Sequence, residues 1–310
     1  PSSRQVVTPL DARGRPRGFG VVELPTTEAA AAALRAFAGG AELRVPARAE
    51  RVFADSATGF DLMLALLPRE RFAGVVSTAL RYSAVARTAQ ELGDLPRPEG
   101  FHAEDVLALG PDLVLVSDWR PPAVPDLLRA RGISTVRLPT PATWEDLEQL
   151  VTFAAALFAE EAAGDQLLQE LRARRATLAS PSDRSDLRVL AYSNFGTSGY
   201  CAGSRTSWDL MIELAGMRNA AAEAGIEGNS AIDLERVLQL DPDVLLVSES
   251  EEGGDSPTLA VLRTHEAARE LRAVKEQRWV VLPVHLHATS SHHLLDAAEA
   301  LARGVDALED

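Results

Sequence analysis

One cysteine, Cys201, stands in 310 residues. No internal disulfide can therefore brace the fold, and cysteine pairing says nothing about the redox compartment. Large side chains are scarce: three Met, three Tyr, four Trp and nine Phe, so an aromatic outside a core pattern carries information. Basic residues are short as well, with 31 Lys and Arg against 45 Asp and Glu and a net charge of −14. Nucleic-acid affinity rests on phosphate neutralisation by Lys and Arg, so this balance argues against a polyanion partner. The acid excess reads as solvated surface. No apolar run reaches the length that spans a bilayer. Neither a phosphate-cradling glycine loop nor a Ser/His/Asp arrangement is present to indicate catalysis.

What the chain does have is a duplication. Residues 103–117 read AEDVLALGPDLVLVS and residues 234–248 read LERVLQLDPDVLLVS, nine identities in fifteen positions at a spacing of 131. Solenoid repeats run at about 20 to 50 residues, so this period marks two similar lobes. Within the unit, Val106, Leu107 and Leu109 fit a short helix, Pro111 stops it, and Leu113 to Val116 run apolar without interruption. Such a strand is covered on both faces, the habit of parallel sheets flanked by helices. A weaker echo pairs Ser56–Leu66 with Ser204–Leu214, six identities in eleven, Phe60 standing against Trp208. Both copies are placed by this reading where a strand turns into a helix, the edge at which open α/β sheets bind ligands.

The expected fold is α/β, two Rossmann-like lobes with parallel sheets joined by a long helix. First-lobe strands are expected at 51–56, 72–76, 113–117 and 135–138, with helices at 61–67, 84–92, 103–109 and 123–131. Thr143-Trp-Glu-Asp146 resembles a capping box, and two helical runs follow it to about Leu178. Second-lobe strands are expected at 188–193, 243–248 and 279–284, and a helix at 291–308. The corresponding domains are an extension at 1–45 with a hairpin and a helix, lobes at 46–141 and 182–310, and linker helices at 142–181. Inside the extension, Arg17-Gly-Phe-Gly-Val-Val-Glu-Leu24 looks like half of an RNA-recognition signature. It keeps one stacking aromatic, Phe19, on an acidic chain, so an inserted hairpin with an Ala-rich helix is the preferred reading.

Two α/β lobes that each carry E-x-V-L-x-L-x-P-D-[LV]-x-L-V-S, with Ala215-Gly216 and Asn219 after a helix, resemble the extracytoplasmic substrate-binding proteins of iron-siderophore, haem and cobalamin ABC importers. The family's opening segment is matched in two halves, by Val7, Asp11, Gly14 and Arg15 and then by Val45, Pro46, Arg51 and Val52. The resemblance implies a non-enzymatic carrier with no required cofactor, acting as a monomer. Its ligand would be haem, cobalamin or a ferric siderophore, held between the lobes and delivered to an ABC permease. It also implies a periplasmic or membrane-anchored extracytoplasmic location, and a chain that opens at Pro1 without Met is expected to be a product whose targeting segment lies outside it.

The same resemblance points to Arg81 and Tyr82 in a cleft loop, Tyr82 as an iron ligand. Asp118, Trp119 and Arg120 follow a buried strand, where the indole would lie against a tetrapyrrole and Arg120 would grip a carboxylate or phosphate. Phe195, Tyr200 and Trp208 supply further aromatics, with Arg205 and Asn229 as polar handles. Permease docking by an acid on each lobe is expected in this family; Asp209 and Glu213 flank the place in the second lobe, and the first lobe lacks the usual Glu. Separately, His285, His287, His292 and His293 fall within nine residues. Read on a strand, His285 and His287 point the same way, so a metal site of His285, His287 and His292, in a metal carrier or metal-dependent enzyme, is the competing reading.

Overall fold

The structure is a computed structural model. It describes residues 3–8, 41–46, 48–84, 93–178, 184–196 and 198–309. The RNA-recognition-like segment, the matches at Asp11, Gly14 and Arg15, and most of the helix expected at 84–92 lie outside these residues. The chain divides into two compact units, Pro1–Thr140 with Glu145–Glu170, and Pro141–Trp144 with Leu171–Asp310.

In the first unit, β1 (Ser3–Thr8) pairs antiparallel with β2 (Ala41–Pro46). Then come β3 (Val52–Ala54), α1 (Ala57–Leu66), β4 (Phe72–Val75), α2 (Ser77–Tyr82), α3 (Ala103–Ala108), β5 (Leu113–Ser117), α4 (Ala123–Ala130) and β6 (Ser134–Leu138). The sheet runs β4-β3-β5-β6 and is parallel throughout. Every residue of β3, β4 and β5 is buried, which is why these strands read as unbroken apolar runs. α5 (Trp144–Phe158) and α6 (Glu161–Leu178) follow, and the division between the units falls within α6. Buried Arg71 ties the entry of β4 to the end of α5, giving Nε to Ala49 O at 2.6 Å, Nη1 to Glu160 at 2.6 Å and Nη2 to Phe158 O at 2.7 Å.

The second unit contains β7 (Arg188–Asn194), β8 (Gly199–Ala202), α7 (Ser207–Leu214), β9 (Arg218–Asn219), β10 (Asn229–Ile232), α8 (Leu234–Leu240), β11 (Val244–Ser248), α9 (Pro257–Thr264), β12 (Trp279–Leu282) and α10 (Leu294–Asp306). Its main path is β10-β8-β7-β11-β12, with β9 beside β7. β7, β11 and β12 are parallel, whereas β8 is antiparallel to both β7 and β10. The second sheet is therefore mixed, not parallel as expected. Its antiparallel strands β8 and β10 are four residues each, too short and too polar on one side to stand out by periodicity.

The duplicated motif proves to be a fastening. Asp112 accepts from the amides of Glu50 (2.7 Å) and Arg51 (3.0 Å) at the entry to β3, while its own amide donates to Arg51 O at 2.9 Å. Asp243 accepts from the Arg188 amide at 2.8 Å at the entry to β7, and its amide donates to Arg188 O at 2.8 Å. Arg51 donates to Leu109 O and Gly110 O, and Arg188 to Leu240 O and Asp241 O. Each arginine thus satisfies carbonyls that the preceding helix leaves open at its end. Burial pushes the Asp243 carboxyl upward, but the Arg188 amide and the Arg272 guanidinium outweigh this and hold its pKa below the ordinary value. Gly110 and Asp241, the aligned residues just before Pro-Asp, both sit in the left-handed region at φ 58° and 40°. Pro-Asp therefore recurs because it closes the same clamp, at the edge where the strands begin.

Candidate functional site

The opposite edge, where the strands end, carries the exposed aromatics. In the first unit β5 runs into a turn bearing Asp118, Trp119 and Arg120, with Trp119 68% exposed. Three residues fix this turn. Buried Asp55, directly after β3, accepts from Ser117 N (2.8 Å), Ser117 Oγ (3.2 Å) and Arg120 Nε (2.7 Å). Arg137 of β6 donates to three carbonyls, those of Ser117 (3.0 Å), Asp118 (2.9 Å) and Arg120 (2.6 Å). Burial, and then the charge of Arg129, lowers the Arg137 pKa. Asp118 accepts from the Thr140 amide at 3.0 Å. The Arg120 guanidinium lies 4.4 Å from the centroid of Trp119 and 5.3 Å from that of Phe101. One face of the indole is thus backed by a cation that is itself neutralised.

Sequence reasoning made Arg120 a grip for an anionic ligand. In the structure Arg120 Nε faces the Asp55 carboxylate at 2.7 Å and Nη2 the Asp55 carbonyl at 3.4 Å. Neither Asp55 nor Arg137 was among the expected site residues, since their partners lie 62 and 20 positions away. The one available signal was an acid placed immediately after a buried strand.

Arg81 and Tyr82 close α2, Arg81 exposed and Tyr82 half-buried. Ser83, next in the chain, donates to Asp61 of α1 at 2.5 Å, so the end of α2 is pinned to its neighbour. The aligned Asp209 does the corresponding job in α7: it accepts from Asn219 Nδ2 at 3.0 Å and from the Arg205 amide at 3.2 Å. Asp209 is thus half-buried and engaged within its own unit, whereas Glu213 is exposed.

In the second unit Phe195 follows β7 and is 71% exposed. It is flanked by a fixed residue: Asn194 receives Gly196 N on Oδ1 at 2.8 Å, donates through Nδ2 to Tyr192 Oη at 2.8 Å, and gives its amide to Thr258 at 3.0 Å. Tyr200, 51% exposed, stands on β8 opposite Ser193. A pocket of about 500 Å³ beside them is lined by Asn194, Gly199, Ile232, Asp233, Val261 and His265. The remaining expected residues lie elsewhere. Because β8 runs antiparallel, Arg205 follows its far end and pairs with Glu227 at 2.9 Å, and Asn229 opens β10 opposite Ala202. Trp208 is half-buried, its indole N–H has no partner, and its ring packs edge-on against His287 at 5.6 Å.

The histidine reading is corrected too. Residues 284–287 form a helical turn after Pro283, so His285 and His287 do not share a strand face. His287 and His292 are buried, and His293 pairs with Asp296. Among the described residues no group of three or more His, Cys, Asp or Glu is arranged to hold a metal ion. Nor is any helix of the described residues long and apolar enough to cross a membrane.

The family model for the periplasmic binding proteins matches residues 58–286. The chain belongs to that family. Among curated relatives, the molybdate-binding protein MolA of Haemophilus influenzae is 32% identical over 196 residues, which is 53% of either chain. The chain thus spans about half the length of that relative. Two solved members of the periplasmic binding protein family share its fold more fully. The haem-binding protein BhuT with two haems has 28% identity, a TM-score of 0.69, and coverage of 83% of this chain and 98% of that one. The haem-binding protein RhuT of Roseiflexus sp. RS-1 without ligand has 25% identity, a TM-score of 0.67, and coverage of 83% and 99%.

Proposed function

We propose that this periplasmic binding protein is the solute-binding component of an ABC importer and that its ligand is a tetrapyrrole, haem before cobalamin. The observation that carries the reading is Trp119, a large apolar face held open to solvent on a turn braced by Asp55 and Arg137. Exposed aromatics fixed in place suit a flat, delocalised ligand, because stacking needs area and a rigid partner rather than charge. Phe195 and Tyr200 offer the second unit's aromatic surface to the same class of ligand. BhuT and RhuT, described as haem-binding, support haem. Tyr82 is the residue proposed to meet the iron. Capture and release need no covalent chemistry, so the reading is of a carrier working outside the cytoplasm.

A second reading, oxyanion binding, is favoured by the relative MolA. A tetrahedral dianion requires converging donors, whereas Arg120 Nε is committed to the Asp55 carboxylate and both Nη groups of Arg137 to backbone carbonyls.

Titration with haemin, followed by Soret absorbance, tests the proposal. Wild type is expected to bind at micromolar levels or below, and Trp119→Ala to bind about tenfold more weakly. Loss of the exposed Trp119 should leave the unfolding midpoint nearly unchanged. If haemin gives no Soret change while cobalamin, a ferric hydroxamate or molybdate binds, the haem assignment is wrong.

A further inference from the structure

Arg120 stacks directly on the exposed indole of Trp119, and its charge is answered from beneath. Asp55 Oδ2 lies 2.7 Å from Arg120 Nε, Nη2 points back toward Asp55 O at 3.4 Å, and the Asp55 side chain is fully buried. The guanidinium is held against Trp119 on one side and Phe101 on another. Beside it, Arg137 faces three backbone carbonyls, and the Asp118 carboxylate accepts an amide. Two carboxylates and two guanidiniums leave the turn without net charge.

We infer that Asp55 is a specificity-determining residue: by neutralising Arg120 it leaves Trp119 as an uncharged stacking face and denies the site to small oxyanions. This rests on the tetrapyrrole reading and goes beyond it in naming what excludes the alternative. The physical reason is that a guanidinium fork is a ready receptor for tetrahedral anions. Once its Nε is committed to a buried carboxylate, an arriving dianion meets the field of the pair rather than of a free cation, and must also approach a second negative charge. Asp55 acts through Arg120 and need not touch the ligand.

The test compares wild type, Asp55→Asn and the double variant Asp55→Asn/Arg120→Met by calorimetric titration with haemin and with sodium molybdate. Wild type should bind molybdate at least tenfold more weakly than haemin. Asp55→Asn should gain at least tenfold in molybdate affinity, the gain shrinking as salt is raised and disappearing in the double variant. A merely structural Asp55 would give no salt-sensitive gain that depends on Arg120. If Asp55→Asn keeps its near-ultraviolet circular dichroism and its haemin binding yet gains nothing for molybdate, the inference is overturned. Should Asp55→Asn fail to fold, Asp55→Ser carries the same test: a salt-sensitive molybdate gain of tenfold or more that vanishes with Arg120→Met upholds the inference, and a molybdate affinity equal to wild type overturns it. A wild type that ignores haemin, alongside an Asp55→Asn protein with the salt-sensitive molybdate gain, removes the haem reading while upholding the role of Asp55.

Discussion

Two histidines should make this protein sensitive to acid well above the range where carboxylates titrate. His287 and His292 are 6% and 7% exposed, and neither His287 Nε2 nor His292 Nδ1 has a hydrogen-bond partner. Burial pushes the His287 pKa from 6.5 down to about 4. Burial first, then the charge of His293, takes His292 down to about 3, with Arg174 adding to the shift and Asp296 opposing it. Both rings stay neutral in the folded chain while the unfolded chain takes up protons near the ordinary value. Their stabilising effect is thus complete above pH 6.5 and is lost as pH falls from there toward 4 and 3. Proton linkage is worth about 1.4 kcal/mol per pH unit and group. Between pH 7 and pH 5 each histidine therefore costs roughly 2 kcal/mol, and the pair about 4 kcal/mol, a large part of a typical stability. Urea unfolding followed by circular dichroism at the two pH values gives the wild-type loss. The variant His287→Gln/His292→Gln removes the titrating rings and should lose about 4 kcal/mol less over the same interval. Equal losses in the two proteins would refute the argument, whatever the absolute stability of the variant.

Three other perturbations address the fold. Asp112→Ala removes the acceptor for two backbone amides at the entry to β3 and should cost about 2 to 3 kcal/mol in urea unfolding; a loss under about 0.5 kcal/mol would deny the clamp its role. Gly203→Ala would set a Cβ 2.0 Å from the carbonyl oxygen of Ile226. The backbone must move, so several kcal/mol should be lost, and a midpoint equal to wild type would contradict the close approach. Asp241→Gly relieves a left-handed residue at φ 40° and should raise stability by about 0.5 to 1 kcal/mol by the same measurement, the exposed contact to Arg272 offsetting little.

The parallel strands were legible because burial on both faces writes itself into the sequence as an unbroken apolar run, as at Leu113 to Val116. β8 and β10 were not, since two short antiparallel strands with Tyr200 and Asn229 exposed leave no such run. Pro283 hid a helical turn at 284–287 behind the end of β12. The duplicated Pro-Asp announced two similar units without revealing that each aspartate clamps a neighbouring strand, because that partner is another segment's backbone amide. Trp119 was found from its position after a strand. The fate of Arg120 depended on Asp55, 65 residues earlier, and no local pattern links the two.

Within each unit the Asp112 and Asp243 clamps fasten the strand beginnings, while Trp119 and Phe195 occupy the strand ends. Tailoring can therefore proceed at one rim without loosening the other. Libraries that randomise Phe195, or Trp119 with its brace left intact, should yield a high proportion of folded clones, and recognition of new cargo can be selected from a frame that keeps its own fastenings.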